Sequence, residues 1–198
     1  MFDQRAQALA LLEESGDVHA LAEGRKTLVK RLARSGDHEQ AIDWLDQQNL
    51  DPQTRVPLEE EIAEGWFPQA PSEAAAWLLS RSDDNTRAKR LAEITGDWAD
   101  WEANAAGAWL GRMVEEYGPQ ADQAIGRFAE SVATKDPSTA LEWLATITND
   151  AERQKAAQLI GRRFSMSMMD GVDSLLTDSP LGETDRAIVL EASQLSRQ

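Results

Sequence analysis

The chain of 198 residues has no cysteine, two histidines and one tyrosine. Without cysteine there are no disulfides, thiolate metal ligands or cysteine nucleophiles. His19 and His38 stand far apart and each lies near an expected turn, so both read as solvent-facing rather than as a metal pair or general base. β-Branched residues are few beside the many Ala and Leu, which favours packed helices over sheet. No stretch approaches 18 apolar residues, and residues 1–20 lack the basic-then-apolar order of an export signal. The expected compartment is the cytoplasm, or the periplasm or exterior if a signal peptide is cleaved beforehand. Positive charge is also scarce: 20 Lys and Arg face 35 Asp and Glu, a formal net charge of −15. Residues 51–150 alone carry 19 acidic and 8 basic side chains. Such a surface repels phosphate backbones and attracts basic proteins, although a solvated acidic surface also serves solubility.

What the chain does have is tryptophan in register. Trp44 (AIDWL), Trp77 (AAAWL), Trp109 (AGAWL) and Trp143 (ALEWL) are separated by 33, 32 and 34 residues. Ala41, Ala74, Ala106 and Ala140 stand three residues before them, and Leu45, Leu78, Leu110 and Leu144 one after. The same step reaches Leu11 and Leu175, giving six repeats. A second register, Trp66, Trp98, Val132 and Phe164, runs eleven residues ahead of Trp77, Trp109, Trp143 and Leu175. A third, weaker one is Arg55, Arg87, Arg153 and Arg186. Positions −3, 0 and +1 share one helical face, so each repeat's first helix carries an apolar stripe. A lone hairpin cannot bury that stripe, whereas stacked neighbours can. Trp77→Ala is therefore expected to cost about 3–5 kcal/mol as a core truncation.

Turn chemistry keeps the same phase. Asp136-Pro137 reads as an N-cap followed by proline at the first helical position, and Pro71 occupies the equivalent place. Asp37 followed by Gln40 reads as a capping box. Pro57 falls inside a second helix and predicts a late start or a kink. Gly96, Trp98 and Trp101 crowd the boundary between the third and fourth repeats. The segment 165–171 replaces a capped turn, and its Met run 166–169 reads as local packing. Gly107 and Gly111 read as close helix packing.

The pattern resembles the tetratricopeptide-like and HEAT-like class of helical-hairpin repeats over nearly the whole chain. The tetratricopeptide signature itself is incomplete: Glu60, Glu93, Ile125 and Leu159 stand where its second-helix small residue belongs. The resemblance implies an all-α, right-handed α-solenoid of about six antiparallel hairpins, one domain over 1–198. The repeats are approximately 4–36, 37–70, 71–102, 103–135, 136–168 and 169–198.

No sequence motif supplies chemistry. Hydrolase, zinc-protease, P-loop and dinucleotide patterns are missing. The acids at 59–61 and 115–116 point in different directions around a helix, and 82–85 lacks the length and glycine of a calcium loop. No catalytic residue, metal or cofactor is expected. In such hairpins the first helices commonly line a binding groove. Its outward positions are Gln40, Asp43 and Gln47; Glu73, Ala76 and Ser80; Ala105, Ala108 and Arg112; Thr139, Glu142 and Thr146. The expected function is a non-catalytic scaffold that binds a protein or peptide, a basic one by charge, without nucleic acid or membrane. The alternatives are a regulatory or substrate-holding subunit of a multi-chain enzyme and a structural segment of a longer solenoid.

Overall fold

The computed structural model describes the backbone of residues 2–167 and 171–195, all of it helix, turn or loop without a strand. Two compact units divide the chain, residues 1–81 and 82–198. Among the described residues no helix is long and apolar enough to cross a membrane.

The first unit contains α1 (Phe2–Ser15), α2 (Val18–Arg34), α3 (His38–Gln47), α4 (Pro52–Trp66) and α5 (Pro71–Ser80). Asp17 starts α2 by accepting the Ala20 N–H at 2.9 Å. Asp51 starts α4 by accepting the N–H and hydroxyl of Thr54, with Pro52 in the first turn. These caps satisfy donors that a helix start leaves without partners. The core is built from Leu28, Val29 and Leu32 of α2, Ala41 and Leu45 of α3, and Leu58 and Ile62 of α4. Leu12, Trp44, Trp66 and Trp77 pack against it while keeping part of their surface in solvent. Lys30 joins α2 to α4 through Glu61 at 2.8 Å and Glu64 at 2.9 Å. The Gln69 amide then donates to the last carbonyls of α2, Ala33 and Arg34.

The second unit contains α6 (Asp84–Tyr117), a 3-10 turn (Gly118–Ala121), α7 (Asp122–Val132), α8 (Pro137–Thr146), α9 (Asp150–Ser167), α10 (Val172–Thr177) and α11 (Glu183–Leu195). α7 packs against α6, α8 and α9, and α9 packs against α11. Small residues permit these approaches. A Cβ on Gly161 of α9 would meet the Val189 carbonyl at 2.5 Å, and one on Gly107 would meet the Phe128 ring at 2.9 Å. The aromatic pairs Trp98–Trp109 and Phe128–Trp143 fill the spaces between helices, with ring centroids 5.7 and 5.2 Å apart.

Several expectations change. Leu11 is 67% exposed; its neighbour Leu12 turns toward the core, where α1 packs on α2. Asp37 makes no side-chain cap, since its carboxylate accepts the Ser35 hydroxyl at 3.0 Å, so no capping box forms with Gln40. Pro57 sits in the second turn of α4, which starts at Pro52 and continues past it as one helix. At the expected boundary near residue 102 two helical arms of α6 meet at a kink without a loop: Glu102 leaves helical geometry, with φ −142° and ψ 63°. Gly107 receives the Phe128 ring, whereas Gly111 faces open space. Residues 168–170 of the Met run lie outside the described residues.

Candidate functional site

The arginine register acts on the backbone. Arg55 near the start of α4 donates to the carbonyls of Leu45 and Gln48 at the end of α3. Arg153 of α9 donates to the Ile147 carbonyl that follows α8, Arg186 to Ser179 after α10, and Arg87 to Ser82 just before α6. Each guanidinium thus satisfies carbonyls that a helix end or turn leaves without intrahelical partners. Where the register lapses, the 3-10 turn with Gly118 at φ 54° makes the connection instead. Asp122, buried after that turn, accepts the Thr148 N–H and hydroxyl and the Asn149 N–H, anchoring the start of α9.

Several other arginines form ion pairs. Arg81 grips Asp46 with two bonds of 2.7 Å, and Arg55 adds a third at 3.0 Å. Hydrogen bonding from Arg81, reinforced by Arg55 against the opposing effect of partial burial, holds the Asp46 carboxyl below its ordinary range. Glu130, buried in α7, receives Arg127 at 2.9 Å and Arg163 of α9 at 3.0 Å. Arg153 joins Asp150 to Asp185 of α11. By contrast, Asp43, Glu73 and Glu142 stand exposed without an ion pair.

Of the twelve outward positions ten are exposed, and eight of these carry polar or charged side chains. Gln40, Asp43 and Gln47 lie on α3, Glu73 and Ser80 on α5, Arg112 on α6, and Glu142 and Thr146 on α8. None bonds to another of the eight; Ser80, Arg112 and Thr146 donate to carbonyls of their own helices. The chemistry they offer is open carboxylate and amide, with one guanidinium. Ala105 and Thr139 are half-buried, so the accessible part of this face is narrower than the helical repeat implies.

His38 departs from its expected solvent-facing role. Its ring stacks on Trp66 at 4.0 Å with 9° between planes, and its Nδ1 is buried without a hydrogen-bond partner. His19 is exposed as expected. Among the described residues no three His, Asp or Glu side chains gather as metal ligands. A shallow cleft between α7 and α9, lined by Gly126, Arg127, Glu152, Lys155 and Leu159, has about 50 Å³ of room. That volume suits one or two waters and is far below a ligand pocket of several hundred Å³.

A further sequence regularity becomes visible only here. Ala63, Thr95, Ala129 and Gly161 are buried, and each stands three residues before Trp66, Trp98, Val132 or Phe164. These are the small residues of the second helices; the positions Glu60, Glu93, Ile125 and Leu159 lie two to four residues earlier. No protein-family profile, curated protein or solved structure matches the chain.

Proposed function

We propose that the chain is a non-catalytic binding scaffold for a basic protein or peptide. In this reading six hairpins stack into one right-handed α-solenoid of the tetratricopeptide-like or HEAT-like kind. The outward faces of α3, α5, α8 and the second arm of α6 present the contact residues. The observation that carries the reading is the unequal commitment of charge. Arg55, Arg81, Arg153 and Arg163 are drawn into ion pairs, while Asp43, Glu73 and Glu142 remain open to solvent. With a net charge of −15, the resulting field favours cationic partners and speeds their approach.

The stacking itself draws support from the cross-links between successive second helices. Lys30–Glu64, Gln69–Ala33, Ser131–Gly96, Lys135–Asp100, Arg163–Glu130 and Arg153–Asp185 all join residues 32 to 36 apart. Small-angle scattering tests the solenoid: an elongated, curved particle is expected, and a compact sphere would overturn it. The binding reading is tested by calorimetric titration with an alternating Lys/Arg peptide and its Glu/Asp counterpart. Only the basic peptide should bind, and added salt should weaken it. The triple variant D43N/E73Q/E142Q should reduce affinity about tenfold, if each carboxylate contributes about 0.5 kcal/mol. Equal binding of both peptides, or no loss in the triple variant, would overturn the groove as the contact face.

A further inference from the structure

α7 and α9 carry a local excess of positive charge in a chain whose net charge is −15. The two helices meet closely, since a Cβ on Gly126 would stand 3.2 Å from the Ala156 methyl. The cleft at this seam has an apolar floor and is lined by Gln123 and Arg127 from α7 and by Glu152, Lys155 and Leu159 from α9. Glu130 is buried and receives Arg127 on one carboxylate oxygen and Arg163 on the other. One carboxylate thus fixes two guanidiniums and neutralises only one. Lys155 is held loosely: its ammonium stands 3.6 Å from the Glu152 carboxylate, outside hydrogen-bond reach. Arg162 is exposed and forms no ion pair with another described residue. Around the cleft, then, four cations stand against two carboxylates.

The size and charge of the cleft select its ligand. Room for one or two waters is room for the leading oxygens of an oxyanion, but not for a nucleoside. A phosphomonoester brings a charge of about −2 at neutral pH and three acceptor oxygens, so several separate cations can reach it at once. A carboxylate brings less charge and meets the opposing Glu152, so an alternating Glu/Asp peptide is not held here. A nucleic-acid backbone meets the repulsion of the whole acidic chain, whereas one phosphoryl group on a neutral segment feels mainly charges within a Debye length of about 8 Å. The face of α9 beside the cleft suits a peptide. Lys155, Leu159, Arg162 and Met166 follow one another by four, three and four residues, which places them on one stripe. Met166 is 71% exposed and offers an adaptable apolar contact to a residue flanking the phosphate.

We propose that the α7–α9 cleft binds the phosphoryl group of a phosphorylated serine on a partner peptide. Lys155 and Arg162 close on its oxygens, the Gln123 amide donates to it, and Met166 receives an apolar side chain further along the peptide. The site uses α7 and α9 rather than the contact residues of α3, α5, α6 and α8, so it stands or falls separately from the groove reading.

The test is fluorescence anisotropy of the full chain with a labelled, otherwise neutral nonapeptide. It carries a central phosphoserine with leucine three residues to either side, a spacing of about 10 Å in extended chain. The same peptide with serine or glutamate at the centre should not bind. K155Q and R162Q should each weaken phosphopeptide binding about three- to tenfold, with the melting temperature unchanged because both side chains are exposed. E152Q should tighten it about two- to threefold by removing the opposing carboxylate. M166S should weaken the peptide and leave competition by inorganic phosphate unaltered, and D43N/E73Q/E142Q should have no effect. Absence of phosphopeptide binding, or wild-type affinity in K155Q/R162Q, overturns the site. Equal binding of the glutamate peptide overturns the phosphoryl ligand, and inorganic phosphate that competes as tightly as the phosphopeptide overturns the peptide as its source.

Discussion

Trp77 and Trp109 occupy the same position of the sequence register, one in each compact unit, and are buried to different depths. Trp109 is 2% exposed and packs beside Trp98. Trp77 is half-buried, with the Trp66 ring 6.4 Å away and the Arg81 guanidinium over its own ring at 5.4 Å. A helical period fixes which way a side chain points; the bulk of what it meets there fixes how much water it loses. In the N-terminal unit that neighbourhood includes an ion-paired arginine, which keeps one edge of the ring wet. In the C-terminal unit it is a second indole.

The comparison is most directly tested by truncation. Trp109→Ala should cost about 3–5 kcal/mol in a urea titration, and Trp77→Ala about 2 kcal/mol because less surface returns to water. Equal costs would break the distinction, and would return Trp77 to the full core value that its register alone implies. A smaller effect is expected at the seams. Gly161→Ala should cost about 1–3 kcal/mol, since the new methyl meets the Val189 carbonyl and Ala192, whereas Gly111→Ala, facing open space, should stabilise by up to about 1 kcal/mol through helix propensity. Loss of stability in both would mean the seam is not the cause. Arg153→Met removes the Ile147 cap together with the bridges to Asp150 and Asp185 while keeping apolar length, and should lower stability by about 1–2 kcal/mol. No change would mean that water replaces the cap and both bridges equally well.

The smallest effect is the pH dependence of the Asp46 bridge. Its carboxyl is held below its ordinary value of 3.8, chiefly by Arg81. The stabilisation is therefore present above that value and is lost as the pH falls through the lower folded-state value. Asp46→Asn should flatten the acid limb of stability measured between pH 5 and 2, without changing its neutral-to-alkaline limb. An unchanged acid limb would show that the bridge adds nothing beyond the exposed-pair norm.

Much of the helical layout was legible in sequence because it follows from period and capping. Pro71 and Pro137 open α5 and α8, and the Asp136 side chain accepts the Thr139 N–H as its motif implies. Ala41, Ala74, Ala106 and Ala140 are all completely buried. Other features depend on competition between partners that spacing does not encode. Ser35 takes the Asp37 carboxylate from its expected role, and Trp66 draws His38 out of solvent. The roles of the recurrent arginines were equally hidden, because their acceptors are backbone carbonyls with no sequence signature. For the candidate site, exposure of the eight positions followed from phase. The contrast between buried Trp98 and exposed Trp101 did not, since it lies beside a kink at Glu102 whose geometry spacing does not encode.

That kink also bears on how the chain folds. Two helical arms join directly at Glu102, and α7 touches both, through Gly96 on one and Gly107 on the other. Once α7 docks, no flexible loop remains to be closed between the two arms, so order gained in one passes directly to the other. The α6–α7 region is therefore where a folding nucleus is expected to form. Substitutions such as Phe128→Leu should slow refolding, while equivalent changes in α10 or α11 should mainly hasten unfolding.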